Sequence, residues 1–410
     1  MQGAAQVLRL PADGLPWLRG SAIEAQTLDP GGLTAIDGTI TALDAGSGAS
    51  VVVDARGCAV IPGFVDCHTH LPFAGWREGE YEQKLRGVGY EEISRGGGGI
   101  AASARALASS SDETVLEQAA AVATEMLAAG TTCFEGKSGY GLSRDGELRA
   151  LRLARELARI VPQTTVSTAL LAHAVPPGFT ADGWMAEVEA MMPEVLDGAG
   201  VSALDIFVES IAFGNEHLER MGALAAAGGL ALRAHVEQFA SHRSVPVALA
   251  AGARSVDHLS RLDVSDVPAL AAAPCAAVLL PVAEFMGAEH RAPGRALLDA
   301  GALVVLATDA NPGTAPAVSM PLVIGLGARL YGMSVRETLA ATTLNAAWVL
   351  GLEHTLGSLE VGKRADLLLL DGPVERIAYR LGRNPVLAAF IAGEPVYVRD
   401  GAAAARITRS

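Results

Sequence analysis

Apolar positions fall into two regimes along this chain. Over residues 1–60 they come in short runs broken by turns, TAIDGTITALDA and then ASVVVDARGCAVI. Asp37–Gly38 between two such runs is a hairpin signal, because both central residues of a tight hairpin turn take positive φ. The far end has the same character: GSLEVGKRADLLLLDG and AAFIAGEPVYVRDG are strands parted by glycine turns. Two β-rich ends around a different middle predict one small β-sandwich domain built from residues 1–60 plus 353–410.

The middle, residues 61–352, alternates between the two periods. Eight apolar runs have strand character: VIPGFVDCHTH, TTCFEGKSG, TTVSTALLAH, LDIFVES, LALRAHVEQ, ARSVDHLS, AAVLLPVAE and ALVVLATDANPG. Between them lie Ala/Leu/Glu/Arg-rich helical stretches. DETVLEQAAAVATEMLAAG reads as a helix with Asp112 as N-cap and a glycine stop, and RDGELRALRLARELARIV as another. This alternation predicts an α/β fold, a (β/α)8 TIM-like barrel. An open doubly wound sheet is the rival. The barrel is preferred because reactive residues close many different strands, which is where a barrel assembles its site.

Of the 410 residues, 50% are hydrophobic and 19% charged, which supports a large core and excludes global disorder. A net charge of −14 argues against a nucleic-acid partner, which would meet a basic face. Four cysteines without a CxxC pair fit a reduced, cytoplasmic protein. The N-terminus lacks the basic start and apolar stretch of a signal peptide. The longest uncharged apolar run, 267–283, holds Pro268, Pro274 and Pro281, so a helix, a turn and a buried strand are expected there and no membrane span.

Nine histidines carry the chemistry. His68 and His70 end the first strand, where residues i and i+2 share a face and can grip one ion. Alone, HxH is a modest signal. It gains weight because His173, His235, His258 and Asp309 each follow an apolar run at the predicted C-terminal rim. One such residue is more often a hydrogen-bonded core group; their convergence is hard to explain by packing. Imidazole and carboxylate ligands suit Zn²⁺ or Fe²⁺ with a position open to water. The only lysines are Lys84, Lys137 and Lys363. The fourth strand has none, and Lys137 reads as lying beyond the second, so a two-metal centre bridged by a carbamylated lysine is disfavoured. One ion held by His68, His70, His235 and Asp309 is expected. His217, His242, His290 and His354 lack strand-end context and read as surface or structural. Gly96–Gly99 lacks the ending of a phosphate loop and reads as a mobile part of the long connection 71–111, a candidate lid.

These motifs resemble a known family. PGFVDCHTH, the HxxQ segment and TDANPGT are similar to the amidohydrolase superfamily, which pairs such a barrel with a β-sandwich formed from both chain ends. Longer segments resemble the imidazolonepropionase family: HTHLPFAGWREGEYEQKLRGVGYEEISRGGGGI, KSGYGL, LLAHAVP, RAHVEQF, VDHL, ATDANPGT, and LGSLEVGKRADLLLLD with GRNPV. The likeness covers nearly the whole chain after about residue 55. It implies metal-dependent opening of the ring of 4-imidazolone-5-propanoate to N-formimidoyl-L-glutamate in histidine degradation. It implies the metal ligands named above, and substrate contacts at Arg77, Tyr90, Tyr140, His173, Gln238, Asn311, Gly313 and Thr314.

Residue chemistry agrees at several of these positions. Arg77 offers a planar fork for the propionate carboxylate, and Tyr140 sits in a glycine-flanked loop expected to expose its ring. Water activated at the metal would attack the ring carbonyl, with Asp309 passing the proton and His258 stabilising the oxyanion. Glu237 is a further catalytic candidate if strand alternation puts it on the His235 face. Gln238 stands where related deaminases place a proton-shuttling glutamate. Departures from the family pattern flank the site: Trp76, Ser260 and Val208–Glu209–Ser210. They keep open a second reading, a related amidohydrolase acting on or deaminating another five-membered cyclic amide or amidine. A barrel without catalysis, serving as a binding or assembly protein, is the third. A small-molecule partner is expected, and apolar outer helices are compatible with a homodimer.

Overall fold

A computed structural model describes residues 1–409 apart from 47, 199 and 288, and gives only the backbone of Tyr90 and Glu91. The barrel strands are β1 (Phe64–Asp66), β2 (Thr131–Lys137), β3 (Thr164–Ala172), β4 (Val201–Phe207), β5 (Ala231–Val236), β6 (Ser255–His258), β7 (Ala276–Leu279) and β8 (Leu303–Leu306). They pair in parallel in this sequential order. β8 meets β1 just past the strand ends. Thr69 bridges Ala310, the His70 N–H donates to the Ala310 carbonyl at 2.9 Å, and the Asp66 carboxylate accepts from the Thr308 hydroxyl at 2.6 Å. Sequential order with a closing contact is the barrel and excludes the doubly wound sheet.

The run VIPGFVDCHTH is not one strand. Ala59–Pro62 pairs antiparallel with Leu367–Leu370 and parallel with Ala4–Arg9, outside the barrel. The chain then crosses into β1 at Gly63, where a Cβ would stand 2.0 Å from Thr132 Oγ1. The expected boundary at residue 60 falls inside that strand. His68 and His70 follow β1 instead of lying within it.

Strands from both chain ends form a six-stranded sheet. Its order is Glu394–Val398, Val386–Ile391, Leu367–Leu370, Ala59–Pro62, Ala4–Arg9 and Thr27–Gly31. The run of four leucines shows why the pattern there is continuous and not alternating. Leu368 and Leu370, with Ala59 and Ile61, join the core shared with the barrel helices, while Leu367, Leu369 and Val60 face a second core. Both faces are covered, so both parities are apolar. The hairpin read at Asp37–Gly38 joins Thr34–Ile36 to Thr39–Ala42, with φ of 49° and 78° at the two turn residues.

Ser111, not Asp112, caps the helix Asp112–Ala128: its hydroxyl accepts from the Thr114 N–H at 3.2 Å. Asp112 instead binds Arg149 and Arg152 at 2.7 Å each and ties two barrel helices together. The run 267–283 folds as the helix Val267–Ala272, β7, and a turn into a helix starting at Pro281. Among the described residues no helix is long and apolar enough to cross a membrane.

The connection after β1 holds the helices Glu78–Leu85, Tyr90–Arg95 and Ile100–Ser109. Gly96–Gly99 is the turn between the last two, so the glycines join helices instead of forming an open loop. Glu80 accepts from the Gly99 N–H at 2.9 Å and faces Arg77 Nε at 3.3 Å, tying the start of the segment to its middle.

Candidate metal centre and substrate cleft

His68, His70, His235, His258 and Asp309 meet at the C-terminal rim of the barrel. Ring centroids of His68 and His235 are 4.5 Å apart, of His68 and His70 5.3 Å, and of His235 and His258 5.4 Å. Asp309 Oδ1 lies 3.5 Å from His68 Nε2 and 3.2 Å from His70 Nε2. His68 Nδ1 donates to Asp257 at 2.6 Å and His235 Nδ1 to Asp205 at 3.1 Å. Each carboxylate keeps the proton on Nδ1 and leaves Nε2 as a bare acceptor. Burial holds His68, His70 and His173 well below the ordinary histidine pKa and lowers His258 to about 3, so these rings are neutral near pH 7.

His68 Nε2, His235 Nε2, His70 Nδ1 and Asp309 Oδ2 are buried without a hydrogen-bond partner. An unsatisfied buried polar atom costs about 1–3 kcal/mol, and here four side chains gathered at one rim each carry one. The donor set fits a divalent metal, with three imidazoles and a carboxylate. His68, His70 and Asp309 have ligand atoms within 4.8 Å of one another, as do His68, His235 and His258. Several rim residues are strained. φ is +54° at Glu237, +80° at His258, +63° at Leu259 and +56° at Asp309. Non-glycine residues in that region cost about 1–3 kcal/mol each and concentrate where function over-determines geometry.

A buried charge network lies beneath. The Lys137 ammonium is 2.7 Å from Asp205 and 2.8 Å from Glu135. Arg233 donates to Asp257 at 2.7 Å, to the Cys67 carbonyl at 2.6 Å, to Ser255 at 2.9 Å and to Glu135. Each orienting carboxylate is therefore shared between a histidine and a cation, and Glu135 joins the two cations. Lys137, read from the sequence as lying past the second strand, is the last residue of β2 and wholly buried. Burial and Arg233 oppose its charge, but Asp205 and Glu135 raise its pKa, so it is an ion-pair member and not a free bridging amine. Lys137 and Arg233 face Glu135, Asp205 and Asp257, so two cations are shared among three carboxylates beneath the rim. Glu135, Asp205, Arg233 and Asp257 went unremarked in the sequence; their signal was a charge inside an apolar strand run.

The cleft over these groups spans about 390 Å³, part of it open to solvent. Arg77, Tyr140, His173, Gln238, Asn311 and Thr314 border it, and Ile100, Phe207 and Phe239 add apolar wall. Tyr140 is buried at 3% exposure, against the expectation of an exposed ring: it faces inward, 5.3 Å from His173 and 5.9 Å from His70. His173 Nδ1 donates to the Gly139 carbonyl at 3.0 Å, which leaves Nε2 as its acceptor. Tyr90 opens its helix, and its side chain lies outside the described residues.

Glu237 lies off the cleft, while Asn311 borders it and also braces its own loop. β5 stops at Val236 and the chain turns, so alternation does not carry Glu237 to the His235 face. Its carboxylate accepts from the Ser244 and His242 N–H groups at 2.6 and 3.0 Å, and it does not border the cleft. Asn311 turns back into its own loop, donating to the Asp309 carbonyl at 2.6 Å and accepting from Thr314 N at 2.7 Å, Gly313 N at 2.9 Å and Thr314 Oγ1 at 3.1 Å. It shapes the turn that presents Asp309.

The unusual flanking residues leave the cleft intact. Trp76 packs edge-on to Phe73 at 4.9 Å. Ser260 donates to the buried Glu284 carboxylate at 2.9 Å, where an acid would meet like charge. Glu209 accepts from the Phe239 N–H at 2.9 Å and pairs with His242 at 2.7 Å, fixing the loop that carries Gln238. His217 is buried and accepts from the Gly214 N–H at 3.0 Å; His354 is exposed.

Gly313 explains how Arg77 reaches the cleft. A Cβ there would stand 1.6 Å from Arg77 Nη2. The guanidinium thus passes directly over the glycine, held by Ser103 Oγ at 3.1 Å. Gly313→Ala is expected to push Arg77 out of place and raise KM about 10- to 100-fold, as for a lost charge-assisted hydrogen bond, with a smaller change in kcat. Steady-state kinetics check this, and an unchanged KM would refute the role of the close approach.

Residues 59–396 match the model of the amidohydrolase family. An imidazolonepropionase of Rubrobacter xylanophilus is 46% identical over 345 residues, covering 83% of this chain and 82% of that protein. The chain belongs to the imidazolonepropionase family of amidohydrolases. Another imidazolonepropionase, from Chloroflexus aggregans, is 41% identical over 409 residues, covering 94% of this chain and 96% of its own. Among solved structures, an adenosine deaminase from Xanthomonas campestris with bound zinc matches with a TM-score of 0.65 at 19% identity, covering 98% of this chain and 97% of that one. At that identity the likeness is one of fold. Membership makes this chain a hydrolase, and its histidine-rich rim has a donor set that fits a divalent metal.

Proposed function

We propose that this chain hydrolyses 4-imidazolone-5-propanoate to N-formimidoyl-L-glutamate, the ring-opening step of histidine degradation. The observation that carries the reading is an orphaned imidazole–carboxylate cluster facing the same small cleft as a preset arginine fork. His68, His70, His235 and Asp309 would hold one zinc or ferrous ion. When bound, such an ion polarises a carbonyl oxygen and lowers the pKa of water toward about 7.

The chain's own groups do the rest. Arg77 takes the propionate carboxylate, while Tyr140, His173 and Gln238 orient the planar ring. The Asp309 carboxylate accepts a proton from the attacking water and delivers it to the departing ring nitrogen. The carbonyl carbon gains the hydroxyl and the ring C–N bond breaks, giving a carboxylate and a formimidoyl amine. His258, neutral near pH 7, donates a hydrogen bond to the oxygen as charge develops. Gln238 cannot shuttle a proton, which weighs against deamination of an amidine ring. Four buried thiols suit a reducing compartment such as the cytoplasm.

The test is loss of the imidazolone absorbance with stoichiometric formation of formiminoglutamate, alongside metal analysis showing about one equivalent of zinc or iron. Metal-loaded protein that leaves fresh imidazolone intact would refute the substrate.

A further inference from the structure

Glu147 is a buried carboxylate that the proposed chemistry does not use. It lies in the first turn of the helix Arg144–Ile160, is 1% exposed and does not border the cleft. Both its oxygens point at the backbone of the loop between β2 and that helix. Oε2 accepts from the Gly139 N–H at 2.8 Å. Oε1 accepts from the Gly141 N–H at 2.7 Å and the Leu142 N–H at 2.9 Å. Tyr140 sits between these anchored amides, so the carboxylate brackets the residue on both sides.

The loop's backbone is unusual at both anchored ends. Gly139 has φ of +114° and Leu142 of +43°. A Cβ on Gly141 would stand 2.2 Å from the Glu147 nitrogen, so the loop rests directly on the helix start. The anchored segment also supplies the Gly139 carbonyl that accepts from His173 Nδ1 at 3.0 Å. One carboxylate therefore fixes two things at once: the inward direction of the Tyr140 ring and the tautomer of His173. Those two rings form one wall of the cleft, 5.3 Å apart.

We propose that Glu147 is a positioning residue for substrate binding, acting through Tyr140 and His173 to keep the cleft fitted to a small planar ring. This rests on the ring-opening reading above. Glutamine at 147 keeps the shape but replaces one acceptor by a donor that faces a backbone N–H. A carboxylate–amide hydrogen bond is lost and the loop relaxes away from the helix. Unlike a ligand to the ion, Glu147 touches no group of the metal cluster, so its loss leaves metal content alone.

The experiment compares wild type, Glu147→Gln, Tyr140→Phe and the double variant on the imidazolone, with metal content measured for each. Glu147→Gln is expected to raise KM about tenfold, the factor for about 1.4 kcal/mol, with kcat within about threefold and one equivalent of metal retained. The double variant should raise KM by less than the product of the two single effects, because the Tyr140 hydroxyl is one of the groups placed by the loop that Glu147 holds. A KM equal to wild type in Glu147→Gln overturns the proposal, as do effects that multiply or metal loss in proportion to activity. If the glutamine variant does not fold, Glu147→Asp answers the same question. It keeps the charge but withdraws it by one methylene, and an unchanged KM there overturns the proposal. No turnover by wild type refutes the ring-opening reading and this inference with it; wild-type turnover with an unaffected glutamine variant refutes the inference alone.

Discussion

His70→Ala is expected to lose bound metal and activity together while remaining folded. His70 places Nε2 3.2 Å from the buried Asp309 carboxylate, so alanine removes one proposed ligand and one polar neighbour of another. Losing even an outer carboxylate partner of a metal site typically lowers affinity 10- to 100-fold, and losing a ligand itself should exceed that. Activity should fall by about 10³-fold or more, because the ion supplies several kcal/mol of transition-state stabilisation. Thermal unfolding separates this from simple damage. Metal binding stabilises only the native state, so added metal should raise the melting midpoint of wild type and leave that of the variant unmoved. A variant that keeps one equivalent of tightly held metal and turns over substrate would remove His70 from the ligand set.

Much of this site was legible because a barrel makes a simple rule of its geometry. Every strand points its C-terminal end at one rim, so a histidine or aspartate following an apolar run identifies itself. His173, His235, His258 and Asp309 were all visible that way. The failures share a different cause: each depends on what the chain meets in space. Gly63 breaks the first strand because Thr132 crosses there, a contact remote in sequence. Glu237 leaves the expected face because β5 ends one residue earlier, and no alternation survives a turn. Lys137, placed beyond the second strand by the sequence, closes that strand because carboxylates wait for it across the barrel.

That last point sets the second large expectation. Arg233→Met should destabilise the fold by about 3–5 kcal/mol, the range for removing one partner of a buried ion pair. Arg233 is 1% exposed and sends its fork to four acceptors on three other elements. Methionine fills comparable space but leaves Glu135 and Asp257 without that cation in the barrel interior. Lys137 cannot compensate, since it is already held between Glu135 and Asp205. Arg233→Lys keeps the charge but not the planar fork, so it should fall between wild type and the methionine variant. Melting all three with chelator present isolates the network from the metal. The metal then reports separately: Asp257 also fixes the His68 proton, so the methionine variant should bind its ion about 10- to 100-fold more weakly. An unshifted midpoint would mean the buried charges are dispensable to the fold, and unshifted affinity would mean Asp257 holds His68 without help from the cation behind it.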